Sequence, residues 1–152
     1  MNITITTDAS FMPNQKIGAY AFWISSQMGK YSEAKLFKTS VDSSHDAEFK
    51  CIINALHRVK GLKLKVDKIY VNTDSMSCIK TINSGHVTDW CKETLPLYQA
   101  IVKELGCKVI MRHIKGHRHT RTPRNWVNDW CDKKAGELAR KEKNRIKKLE
   151  SR

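Results

Sequence analysis

Ile3 and Ile5 alternate with Thr4 and Thr6 at the start of the chain, and all four are β-branched. A period of two in such residues marks a strand with one face toward a core. The run passes straight into Asp8-Ala9-Ser10 without a turn residue. Residues 11–16 contain Pro13 and Asn14 and read as a turn. Residues 17–26 are apolar and aromatic, a second strand. Residues 27–30, with Gly29, suit a hairpin turn, and residues 30–39 a weaker third strand. The three are expected to pair as an antiparallel meander.

The period then lengthens. Ile52, Ala55, Leu56 and Val59 form the apolar stripe of a helix from Ser43-Ser44 to about Lys60, stopped at Gly61. One turn back from Ile52 lies Glu48, on the inward side of that stripe. Residues 68–72 are a short β-branched strand ending in Thr73-Asp74-Ser75, where Asp74 is either a helix cap or something more. Helices are predicted over 76–83 and 89–105, the second kinked near Pro96. Residues 107–113 form a fifth strand, and a last helix runs from Asn125 or Asn128 onward. Its inner stripe is Asn128, Cys131 or Asp132, Ala135, and Leu138 or Ala139. The order β-β-β-α-β-α-α-β-α predicts a mixed α/β fold, a five-stranded sheet flanked by helices. One domain is expected over residues 1–142, followed by a basic tail, 143–152, that frays.

Charge sharpens this picture. The chain has 152 residues with 28 Lys and Arg against 15 Asp and Glu, a formal +13. Such an excess points to a polyanionic partner. It is uneven: residues 112–124 hold five Lys or Arg and no acid, and residues 133–152 hold nine against three Glu. No apolar run is long enough to span a bilayer. The chain starts directly on its first strand, so no signal or transit segment is expected. The five cysteines are widely spaced and form no C-x-x-C, which argues against a zinc site and for a reducing, cytoplasmic setting.

Against this positive background four acids share an odd placement. Asp8 and Asp74 end strands, while Glu48 and Asp132 fall on inward helix faces. Clustered carboxylates repel unless protonated or neutralised by cations. Oxygen-only ligands select Mg²⁺ or Mn²⁺, and two such ions support phosphoryl transfer. Taken singly, each acid is as readily a cap or a surface residue, and a helix phase error of one would turn Glu48 or Asp132 outward.

Read as motifs, these are Asp8-Ala9-Ser10, Ala47-Glu48-Phe49, Thr73-Asp74-Ser75, Lys115-Gly116-His117 and Asn128-Asp129-Trp130-Cys131-Asp132. In this order and spacing the chain resembles type 1 ribonuclease H over nearly its whole length. The resemblance implies a ribonuclease H-like fold. It also implies a monomeric endonuclease that uses two Mg²⁺ (or Mn²⁺) ions to hydrolyse the RNA strand of RNA–DNA hybrids, leaving 5′-phosphate and 3′-hydroxyl ends. Asp8, Glu48, Asp74 and Asp132 would be the metal ligands, with Asp8 bridging and Glu48 near the 2′-hydroxyl beside the scissile phosphate. His117 would assist proton transfer or product release, its simpler reading being a phosphate contact. Ser10, Asn14, Ser43, Lys115, Arg118, Arg121 and Asn128 are the candidate nucleic-acid contacts.

The family pattern is not followed everywhere. Ala9 stands where the family has Gly, and Pro13-Asn14-Gln15-Lys16 replaces a Gly-rich turn. Ser44, His45 and Asp46 stand where amides are common, and Asp46 is expected to add negative charge beside the groove. The family's basic handle between the middle helices is missing, so the 112–124 loop and the 133–152 tail are the candidates for gripping substrate. For the tail, a solvated helix face is the simpler reading. Trp23 is expected in the core. Trp126 and Trp130, four residues apart, either meet nucleic acid or pack under the basic loop. Two other functions remain in view: a nuclease of this fold acting on DNA or structured RNA, and a non-catalytic nucleic-acid-binding module. The second has no use for four acids set against phosphates.

Overall fold

The structure is a computed structural model that describes residues 1–114 and 123–151. Strands β1 (Asn2–Met12), β2 (Ile17–Ser26) and β3 (Gly29–Leu36) form the expected meander. Helix α1 (Ser44–Gly61) then crosses the sheet to β4 (Lys68–Thr73), which pairs parallel to β1. Helices α2 (Met76–Ser84) and α3 (Thr94–Leu105) lead to β5 (Lys108–His113), parallel to β4. Helix α4 (Pro123–Glu150) closes the chain. The sheet order is β3-β2-β1-β4-β5, with β1 in the centre.

The alternation in β1 explains its central place. Ile3 and Ile5 are fully buried on the α1 side, against Ile52, Leu56, Ile69 and Val71. Thr4 and Thr6 face the other way, where the Cys131 thiol of α4 reaches the Thr6 carbonyl at 3.6 Å. The predicted α1 stripe is buried in full, and Ser43 caps the helix by accepting the Asp46 amide at 3.1 Å.

Four expectations about elements need correction. The predicted 89–105 helix is two pieces, a 3₁₀ turn at Asp89–Cys91 and then α3. Pro96 does not kink α3. It sits in the first turn, where backbone N–H groups have no intrahelical acceptor in any case. The tail expected to fray from Lys143 is helical to Glu150, because Ile146 packs beside Ile17, Ala19 and Ala139. The cap of α2 is Ser75, which accepts the Cys78 amide at 3.3 Å, and not Asp74.

Candidate active site

Strand β1 outlasts its partner β4. The parallel ladder ends at Thr6 opposite Asn72, while β1 runs on against β2 as far as Met12. Past the end of β4 the sheet therefore opens beside Asp8, at the carboxyl ends of the parallel strands, where α/β sheets place ligands. Asp74 directly follows β4 and enters the same opening. Glu48 arrives from the first turns of α1, whose inner face lies on β1.

One backbone amide ties two of these acids together. The Ala9 N–H donates to Asp8 Oδ1 at 2.9 Å and to Glu48 Oε1 at 3.0 Å. The replacement of Gly by Ala is thereby accounted for. The site uses the backbone N–H of that residue, and the Ala9 methyl packs against the core. Glu48 Oε2 is buried without a hydrogen-bond partner. Carboxylate oxygens of Asp8, Glu48 and Asp74 lie within 4.8 Å of one another, with Asp8 only 4% exposed.

The electrostatics follow from this crowding. Asp8 is pushed far above the usual carboxylate range, first by burial, then by the charges of Glu48 and Asp74, and by contact with the Glu48 and Asp132 carboxyls. Glu48 is also raised, by burial first and then by Asp74, although the Asp8 carboxyl and the Ala9 amide pull it back. Carboxylates crowded this closely ionise together only where a cation neutralises them. An orphaned buried carboxylate oxygen facing two other carboxylates is the donor set a hard divalent cation requires, so these residues fit such an ion.

Asp132 was expected to point inward and does not. The buried face of α4 is Asn128, Cys131, Ala135 and Ala139; Asp132, one residue round from Cys131, is exposed. It nevertheless reaches Asp8 from the rim. Asn128 lies on the inner face as its stripe predicts, and that burial argues against the nucleic-acid contact also expected of it. Only 4% exposed, it offers no surface to a phosphate, and its Oδ1 has no partner. Asp46 does not charge the groove either. It is buried, accepts the Asp42 amide at 3.1 Å and pairs with Lys50 at 3.0 Å.

Ser10 and Ser43 are half-buried and Asn14 is exposed in the β1–β2 turn. Lys115, His117, Arg118 and Arg121 lie outside the described residues. Trp126 and Trp130 both pack edge-on against Trp23, at 5.5 and 5.2 Å, which favours packing over free display, although Trp126 stays 59% exposed. Trp23 is accordingly part of a small cluster under α4. Sequence reasoning missed the Ala9 amide, which no side-chain pattern announces. All five cysteines are free. Cys51 donates toward the carbonyls of Asp8 and Ala21, so it supports the strand that carries Asp8. Among the described residues no helix is long and apolar enough to cross a membrane.

Residues 1–140 match the family model for RNase H. The chain belongs to the RNase H family. It is a ribonuclease H, hence a nuclease, and the resemblance to the type 1 enzymes is borne out. Several solved RNase H1 structures share the fold. LC11-RNase H1, solved in complex with an RNA/DNA hybrid, is 18% identical with a TM-score of 0.73, over 92% of this chain and 98% of that one. RNase H1 from the halophilic archaeon Halobacterium salinarum is also 18% identical, with a TM-score of 0.66 over 91% and 97%. The N-terminal RNase H domain of a Mycobacterium tuberculosis protein is 11% identical, with a TM-score of 0.66 over 93% and 98%. No curated protein matches the sequence.

Proposed function

We propose that this ribonuclease H cleaves the RNA strand of RNA–DNA hybrids, with divalent ions, Mg²⁺ or Mn²⁺, held by Asp8, Glu48, Asp74 and Asp132. The observation that carries this reading is the carboxylate triad within 4.8 Å, with its buried, partnerless Glu48 oxygen, inside a +13 chain. An acidic pocket in a basic protein repels phosphate until cations fill it. The hybrid bound to LC11-RNase H1 supports the choice of substrate.

The residues divide the work. Asp8 and Glu48 are each held through one oxygen by the Ala9 amide, which leaves the second oxygen of each for an ion. Asp74 supplies a third carboxylate from the neighbouring strand end, and Asp132, exposed on α4, reaches Asp8 from the rim. Two divalent ions held by these four carboxylates would supply activation of a water and neutralisation of charge on the leaving oxygen. Glu48 would lie closest to the 2′-hydroxyl that distinguishes RNA, and His117 would serve proton transfer or product release. The expected products are a 5′-phosphate and a 3′-hydroxyl, formed by a monomer.

Cleavage of matched hybrid, duplex RNA and duplex DNA with each metal tests this. Cutting confined to the RNA of the hybrid is expected. Equal cutting of duplex DNA would overturn the substrate assignment, and no cutting of any duplex would favour a binding module.

A further inference from the structure

The cations of α4 are not scattered. Lys133-Lys134, Arg140-Lys141 and Lys147-Lys148 recur at intervals of seven residues. Seven residues fall just short of two turns, so each row drifts only ~20° per repeat. Members of a pair stand about 100° apart. The six side chains therefore form one continuous stripe. It begins on the residue after Asp132 and extends about 22 Å along the helix axis. Lys133, Arg140, Lys141, Lys147 and Lys148 are exposed and Lys134 is half-buried.

The packing of α4 gives the stripe a direction. Cys131 sits over Thr6 in the middle of β1, and Ala139 packs on Ile17 and Ala19 beside Met12 and Leu36. The helix thus leads from the carboxylate site out along the β1–β2 hairpin, whose turn carries Asn14. A solvated helix face would explain some of these residues. Lys147 and Lys148 lie in the last turn, where cations suit the helix macrodipole. Lys133, Lys134, Arg140 and Lys141 lie too far from that end to gain from it. One acid, Glu137, is interleaved, one turn from each of Lys133, Lys134, Arg140 and Lys141. Among the described residues only Lys134 of the six has a carboxylate within 4.0 Å, that of Glu137 at 3.8 Å. Glu142 is engaged by Arg145.

We propose that this stripe is a track for the phosphate backbone of duplex nucleic acid, holding the substrate on one side of the cleavage site. At about 3.4 Å of duplex axis per step, its length matches roughly six base pairs. The inference rests on the nuclease reading above for the identity of the duplex. It accounts for how a chain without the family's basic handle grips its substrate.

The test compares the wild type with R140Q/K141Q/K147Q/K148Q and with the charge-matched control K63Q/K65Q/K68Q/K108Q. The control lysines are exposed near the starts of β4 and β5, at the opposite end of the sheet from Asp8. Gln preserves helix propensity. Binding to a 20-base-pair hybrid is measured without metal between 50 and 200 mM salt. Losing four contacts should lower the slope of log K against log salt by roughly 3–4 and weaken binding at least tenfold at about 100 mM salt. The control should lose less than about 1 in slope. R140Q/K141Q and K147Q/K148Q alone should each lose about half the effect, so a folding failure of the quadruple variant leaves the question decidable. Equal losses in stripe and control variants, or an unchanged slope in the stripe variants, would overturn the proposal. Because binding needs no turnover, a wild type that fails to cut the hybrid would sink the nuclease reading while this measurement still judged the stripe.

Discussion

Replacing Glu48 with Gln should make the metal-free protein more stable while abolishing its response to divalent ions. Carboxylates of Asp8, Glu48 and Asp74 lie within 4.8 Å of one another. At an effective dielectric of about 20, one fully ionised pair at that distance costs ~3.5 kcal/mol. Partial protonation relieves part of this, leaving a net gain of about 2 kcal/mol when one charge is removed. Gln also keeps an oxygen for the Ala9 amide and places an N–H₂ where Glu48 Oε2 now has no partner. For a chain of this size, 2 kcal/mol corresponds to a rise of about 4–8 °C in Tm. The sign with pH follows from the raised Glu48. The folded state binds more protons than the unfolded state once pH passes 4.5, the ordinary Glu value, so wild-type stability falls as pH rises from there. The advantage of E48Q should therefore be small near pH 4.5 and grow through neutrality. Thermal melts at several pH values, with EDTA and with Mg²⁺ in excess, measure both effects. Wild-type Tm should climb with Mg²⁺ and E48Q should barely move. A destabilised E48Q in EDTA at neutral pH, or an equal Mg²⁺ response in both proteins, would refute the reasoning.

Other perturbations reach different links. Asp8→Asn should lower cleavage by a factor of at least ~10³ while hybrid binding, followed by anisotropy, stays the same or tightens; normal turnover would show that the site is misplaced. Ser75→Ala removes the α2 cap and should cost about 1 kcal/mol, or roughly 2–4 °C in Tm, with a modest loss of activity because Asp74 precedes that helix. Glu33 is raised by burial but lowered overall by its contacts with Lys35 and Arg58. The ion pairs should therefore stabilise the fold above pH ~4.5 and lose that effect as pH falls through the lowered value. Glu33→Gln should cost no more than about 1 kcal/mol at neutral pH and nothing in acid, as read by denaturant titration.

Much of the architecture was legible in the chain because it rests on periodicity. Strand β1 announces itself by Ile3 and Ile5, and α1 by Ile52, Ala55, Leu56 and Val59, because burial of one face imposes a repeat on the residues that carry it. The identity of the acids was legible for a related reason, since a charge ending a strand or facing a core needs a partner. Periodicity fails where neighbouring positions straddle a boundary. Asp132 and Cys131 are adjacent, and only the docking of α4 decides that the thiol is buried and the carboxylate is at the rim. The same docking buries Asn128, and the fold around α1 turns Asp46 inward to Lys50. By itself the sequence determined the elements, the family and the four candidate ligands. Tertiary structure alone decided that Asp8, Glu48 and Asp74, far apart in the chain, converge beyond the end of β4, and that the Ala9 amide fixes two of them. Distances across a sheet depend on strand order and register, which local pattern does not contain. The reach of the cationic stripe away from Asp132 likewise becomes a direction in space only once α4 lies on β1 and β2.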